Sequence, residues 1–65
     1  MQIIFEYNPK EYYGWENNMC QITYISGNNL TVTWMPENNI NIFRNILDKL
    51  GFKSTQDGNK YIYIP

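Results

Sequence analysis

The sequence predicts an α+β fold: a small antiparallel sheet of four to five strands, in the order β-β-β-α-β or β-β-β-α-β-β, with one helix packed on one face. Three observations predict it. Short runs of alternating apolar residues fill the first half of the chain and its last few positions. A single apolar stripe at helical spacing lies between 40 and 50. Gly, Asn and Pro punctuate the gaps between these runs. With 65 residues there is room for one domain, Met1–Pro65.

The first strand is Gln2–Tyr7, with Ile3, Phe5 and Tyr7 on one side and Gln2, Ile4 and Glu6 on the other. Asn8–Asn18 reads as a loop because of its Asn, Pro and Gly content. Met19–Ser26 and Leu30–Met35 form the second and third strands. A three-residue loop, Gly27 to Asn29, would pair Tyr24 with Val32 and Ile22 with Trp34. A two-residue turn at Gly27-Asn28 would instead pair Ile25 with Leu30 and Gln21 with Trp34, mixing polar and apolar residues on one face. A one-residue slip exchanges the faces, so the sorting of apolar residues favours the longer loop.

Pro36 to Leu50 predicts the helix. Proline suits a first turn, and Glu37 suits the positive end of the dipole. Ile40, Phe43, Ile46, Leu47 and Leu50 make one stripe. Gly51 is a left-handed stop, and Phe52 is placed to pack back on Leu47. An Asp57-Gly58 turn would pair Phe52–Gln56 with Asn59–Tyr63 and set Tyr63 opposite Phe52. If Phe52 caps the helix, the tyrosines of Tyr61–Ile64 face inward and Ile62 and Ile64 point out.

Composition narrows the function. The chain has no His and a single Cys, so an internal disulfide is impossible and a structural zinc is not expected. Ser26 and Ser54 lack a base at an activating spacing, the carboxylates stand singly, and Cys20 falls on an apolar strand face. No catalytic residue, cofactor or metal is expected, and the chain is read as a non-enzyme. Net charge is −1: the segment 1–35 carries −2 and 36–65 carries +1. That balance makes nucleic acid an unfavoured partner. No signal sequence and no run of about 18 apolar residues is present, so the expectation is a cytoplasmic protein that does not enter a membrane.

Eleven aromatic rings exceed what so small an interior can hide. Tyr12, Tyr13 and Trp15, flanked by Glu11 and Glu16, are the candidate partner-binding residues, because Tyr and Trp dominate interface hot spots. The same rings could equally fold back over the core. Arg44, Lys49, Lys53 and Lys60 are candidate contacts to phosphate or to an acidic partner, although cations near a helix C-terminus also complement its dipole. A further candidate is a threonine-rich sheet face of Gln21, Thr23, Ile25, Thr31, Thr33 and Met35, whose plainer role is a solvated outer surface.

The chain lacks Ala altogether and has ten Asn and nine Ile, which points to an AT-rich genome. With its brevity this suggests a bacterial virus or other mobile element. The expected function is a small non-enzymatic interaction protein that binds and inhibits a host protein. A chain of this size often needs oligomerisation as a staple, so a homodimer is expected. The alternatives are a nucleotide- or small-molecule-sequestering protein with an aromatic pocket at a dimer interface, and a weak single-stranded nucleic-acid binder.

Overall fold

A computed structural model describes residues 1–7 and 19–65. Among these residues the strands are β1 (Gln2–Tyr7), β2 (Met19–Ser26), β3 (Asn29–Pro36), β4 (Lys53–Asp57) and β5 (Lys60–Ile64), with one helix, α1 (Glu37–Lys49), between β3 and β4. The fold is α+β. The five strands form one antiparallel sheet in the order β3-β2-β1-β5-β4, so the first strand lies at its centre. The helix covers one face.

Register decides which residues lie under the helix. β1 pairs Ile3 with Tyr24, Phe5 with Ile22 and Tyr7 with Cys20 on one flank, and Ile3 with Tyr63 and Phe5 with Tyr61 on the other. These residues share the helix side. Ile3, Phe5, Cys20, Ile22 and Tyr63 are buried there, joined by Ile40 and Leu47 from α1. Phe5 sits at the centre, edge-on to Phe43 and to Tyr63 with ring centroids 5.5 Å apart in both pairs. Such contacts add about 0.5–1.5 kcal/mol each beyond the buried area.

The helix ends as its sequence dictates. Gly51 has φ 90°, its N–H donates to the Asp48 carbonyl (3.2 Å), and the Phe52 N–H donates to the Leu47 carbonyl (3.1 Å). This is the Schellman pattern, with Phe52 packed against the core beside Leu47. The apolar stripe is narrower than expected. Ile46 and Leu50 are exposed, and the face toward the sheet is Ile40, Phe43, Arg44 and Leu47. These four follow an i, i+3, i+4, i+7 spacing, while 46 and 50 lie outside it.

Both hairpins correct the sequence reading. The first turns on Gly27-Asn28 alone, pairing Ser26 with Asn29, Ile25 with Leu30 and Gln21 with Trp34. Gly27 has φ 61°, the left-handed value that tight two-residue hairpin loops require. Thr31, Thr33 and Met35 therefore lie on the helix side, and Leu30, Val32 and Trp34 on the other. The expected threonine-rich face is split between the two sides of the sheet. The second hairpin turns on Gly58-Asn59, with Asp57 opposite Lys60 and Ser54, not Phe52, opposite Tyr63. Gly58 again has φ 61°. Moving that loop by one residue keeps the faces, so Tyr61 and Tyr63 point inward and Ile62 and Ile64 outward.

Candidate functional site

The most organised polar cluster is built on Arg44. α1 carries it one position past Phe43, at the flank of the helix that overlies β5. Tyr7 on β1 and Tyr61 and Tyr63 on β5 reach the same place, because the β1–β5 register puts all three on the helix side. The Arg44 guanidinium lies 3.6 Å from the Tyr61 ring centre. Its Nε donates to the Tyr63 hydroxyl (3.0 Å) and its Nη1 to the Tyr7 hydroxyl (3.0 Å). The Tyr7 hydroxyl in turn donates to Asn41 Oδ1 (2.8 Å). Tyr7 and Tyr61 meet edge-on at 5.6 Å. One cation thus ties the helix to the two adjacent central strands.

The electrostatics follow from this packing. Burial opposes the Arg44 charge, but the hydrogen bonds to Tyr63 and Tyr7 outweigh it and hold the guanidinium above its ordinary value. Burial also raises the Tyr7 hydroxyl, with the Arg44 hydrogen bond acting against that rise. Nearby, the Cys20 thiol donates to the Glu6 carbonyl (3.2 Å). Burial, with help from the Glu37 charge, pushes this thiol up to about 11, so it is a protonated structural group and not a nucleophile at neutral pH.

Beside Arg44 an open cleft of about 210 Å³ lies between α1 and the β4–β5 turn, lined by Tyr7, Asn41, Arg44, Gly58, Asn59 and Tyr61. Asn59 anchors the rim, its side-chain amide donating to the Tyr7 carbonyl while its own carbonyl accepts the Tyr7 N–H (3.0 Å). Two of the five Arg44 N–H donors are held by tyrosine hydroxyls.

The second candidate is the sheet face turned away from α1. Register places Ile4, Ile25, Leu30, Val32, Trp34, Ile62 and Ile64 there, with Gln2, Glu6, Gln21, Thr23, Lys53, Thr55, Asp57 and Lys60 among them. Leu30, Val32 and Ile64 are exposed, and Ile4, Ile25 and Ile62 half-buried. The two-residue first hairpin loop is what brings Leu30, Val32 and Trp34 to this side.

Of the residues singled out in the sequence, Glu11, Tyr12, Tyr13, Trp15 and Glu16 lie outside the described residues. The four cations are not brought together. Arg44 is on the helix side, Lys53 and Lys60 are on the opposite side, and Lys49 is in the last turn of α1. The tyrosine set around Arg44 was missed. Its signal was present: a cation inside an apolar helix stripe, and three tyrosines at inward strand positions whose hydroxyls need partners. Among the described residues no group of three or more His, Cys, Asp or Glu could hold a metal ion, and no helix is long and apolar enough to cross a membrane. Compared with protein-family models, curated proteins and solved structures, the chain matches none.

Proposed function

We propose that this chain acts by binding, as a small non-enzymatic interaction protein that meets another protein through the sheet face opposite α1. The observation that supports this is the character of that face: Leu30, Val32 and Ile64 stand exposed beside Ile4, Ile25 and Ile62. Leu30 lies opposite Ile25 and Ile4 opposite Ile62, and exposed apolar surface on a small domain marks interaction sites. Lys53, Asp57, Lys60 and Glu6 flank it as a polar rim, as interfaces have. Inhibition of a host protein by a virus-encoded chain is the form of this function that composition favours, with Tyr12, Tyr13 and Trp15 as additional anchors.

The test is capture from host lysate by the immobilised chain, with two variants alongside: Ile62→Lys/Ile64→Lys on the sheet face and Tyr13→Ala/Trp15→Ala in the loop. A specific partner retained by the wild type and lost in the sheet variant, at unchanged far-UV circular dichroism, supports the reading. Equal capture by all three proteins overturns it.

The nucleotide-sequestering alternative draws on Arg44 stacked beside a cleft. That cleft, at about 210 Å³, is smaller than the roughly 300–1,000 Å³ of typical ligand pockets. A thermal-shift panel of nucleotides separates the two functions: binding by surface predicts no shift, whereas a saturable rise of several degrees assigns the cleft to a ligand. Single-stranded nucleic acid is supported least, because Arg44 lies on the opposite side of the sheet from Lys53 and Lys60 and the three do not form one basic track.

A further inference from the structure

The geometry points to a two-fold homodimer made by antiparallel pairing of two β3 edges, centred on Thr31, which joins two five-stranded sheets into one. Among the described residues β3 and β4 are the terminal strands of the sheet. They differ in the features that discourage edge pairing. β4 has five residues with Lys53 and Asp57 at its ends, whereas β3 has eight residues and no charge among them. Short length and charge protect an edge from further pairing, and a longer uncharged strand is a template for it.

The hydrogen-bond phase follows from the tight turn. A two-residue loop is closed by a hydrogen-bonded pair, here Ser26 and Asn29. Alternation then sends the backbone groups of Asn29, Thr31 and Thr33 to β2, and those of Leu30 and Val32 outward. The run Asn29–Thr33 is exposed at every position, with Leu30 64% and Val32 45% accessible. α1 does not obstruct this edge. It leaves β3 after Pro36 and crosses toward β5, where Arg44 reaches Tyr63.

A two-fold axis through Thr31 pairs the whole exposed run with itself. Leu30 then faces Val32 of the second copy, and these residues exchange four N–H···O=C bonds across the axis. Thr31 faces its own twin at a non-hydrogen-bonded position, where Cα atoms approach to about 4.5 Å. The pairing keeps apolar residues on the outer side and threonines on the helix side, whereas a one-residue slip would oppose Leu30 to Thr31. Each outward Leu30 and Val32 gains an apolar cross-strand neighbour. This interface uses the strand edge and stands or falls separately from the sheet-face reading above.

Three measurements test it. Light scattering on the wild type is expected to give twice the chain mass of 7.8 kDa, and Val32→Lys, at unchanged circular dichroism, is expected to give the single-chain mass. Under mild oxidation Thr31→Cys is expected to form a covalent dimer at least tenfold faster than Thr33→Cys, whose twins lie on the order of 13 Å apart in this register; the native Cys20 is buried and does not compete. A monomeric wild type, a Val32→Lys variant that remains dimeric, or equal cross-linking at 31 and 33 overturns the proposal.

Discussion

Arg44 shows how one residue can change role when the fold closes. In the chain it is a cation between Phe43 and Asn45; in the fold it is stacked on Tyr61 and hydrogen-bonded to Tyr7 and Tyr63. A lysine cannot reproduce the planar stack or the fixed donor directions. Arg44→Lys is therefore expected to lower stability by about 1–2 kcal/mol, and Arg44→Ala by more, read from urea midpoints. Cys20 gives a pH prediction. Its folded pKa of about 11 lies above that of an unfolded thiol, so the native state holds a proton that the unfolded state releases. Its contribution is complete below the unfolded pKa and is lost as pH rises through the folded one. The stability gap between wild type and Cys20→Ala should narrow between pH 8 and 11, by on the order of 1–2 kcal/mol in urea titrations. The buried thiol was legible because alternation in a strand fixes its side. The sequence carried the ingredients of the Arg44 cluster but not their meeting, because the partners come from positions 7, 61 and 63, which no local pattern connects.

At the level of elements, chain ends and turns carry the information. The α1 terminus was legible from Gly51-Phe52 alone, since few residues other than glycine adopt φ 90° without strain. Nothing lies within 4 Å of a Cβ built at Gly51, so Gly51→Ala tests backbone strain without a clash. It should lower the denaturation midpoint by the equivalent of about 1–2 kcal/mol while leaving the circular dichroism spectrum unchanged. The hairpins were legible as hairpins and misjudged in loop placement. Sorting apolar from polar residues favours a longer first loop only if one side of the sheet must be polar. Here the outer side mixes the two. A glycine at φ 61° in the first loop position outweighs that sorting, and the same Gly-Asn loop recurs at 58–59. The same preference for local geometry leaves Leu30 and Val32 on the open side.

For the whole molecule, a sheet shielded on one side by a single helix leaves a thin body whose interior consists of one layer of residues. The described core holds seven buried residues, few enough that association is a natural source of added stability. With β3 edges joined, thermal stability becomes concentration-dependent. The melting temperature of the wild type should rise with protein concentration, while that of Val32→Lys should stay constant, as scanning calorimetry at a series of concentrations would show. The overall architecture was legible in the sequence because strand alternation and helix periodicity are local. The strand order was not, because it depends on pairing between segments far apart in the chain.

The central position of β1 also sets an order for folding. One of the strands flanking Phe5 is β5, whose Tyr61 lies 56 positions further along the chain. Contacts of such long sequence separation form late and slow the folding of small sheets. A folding chain can assemble the local β2–β3 hairpin and α1 while one flank of β1 stays vacant, a slot with the shape of β5. During that interval the chain is most open to capture by a foreign strand.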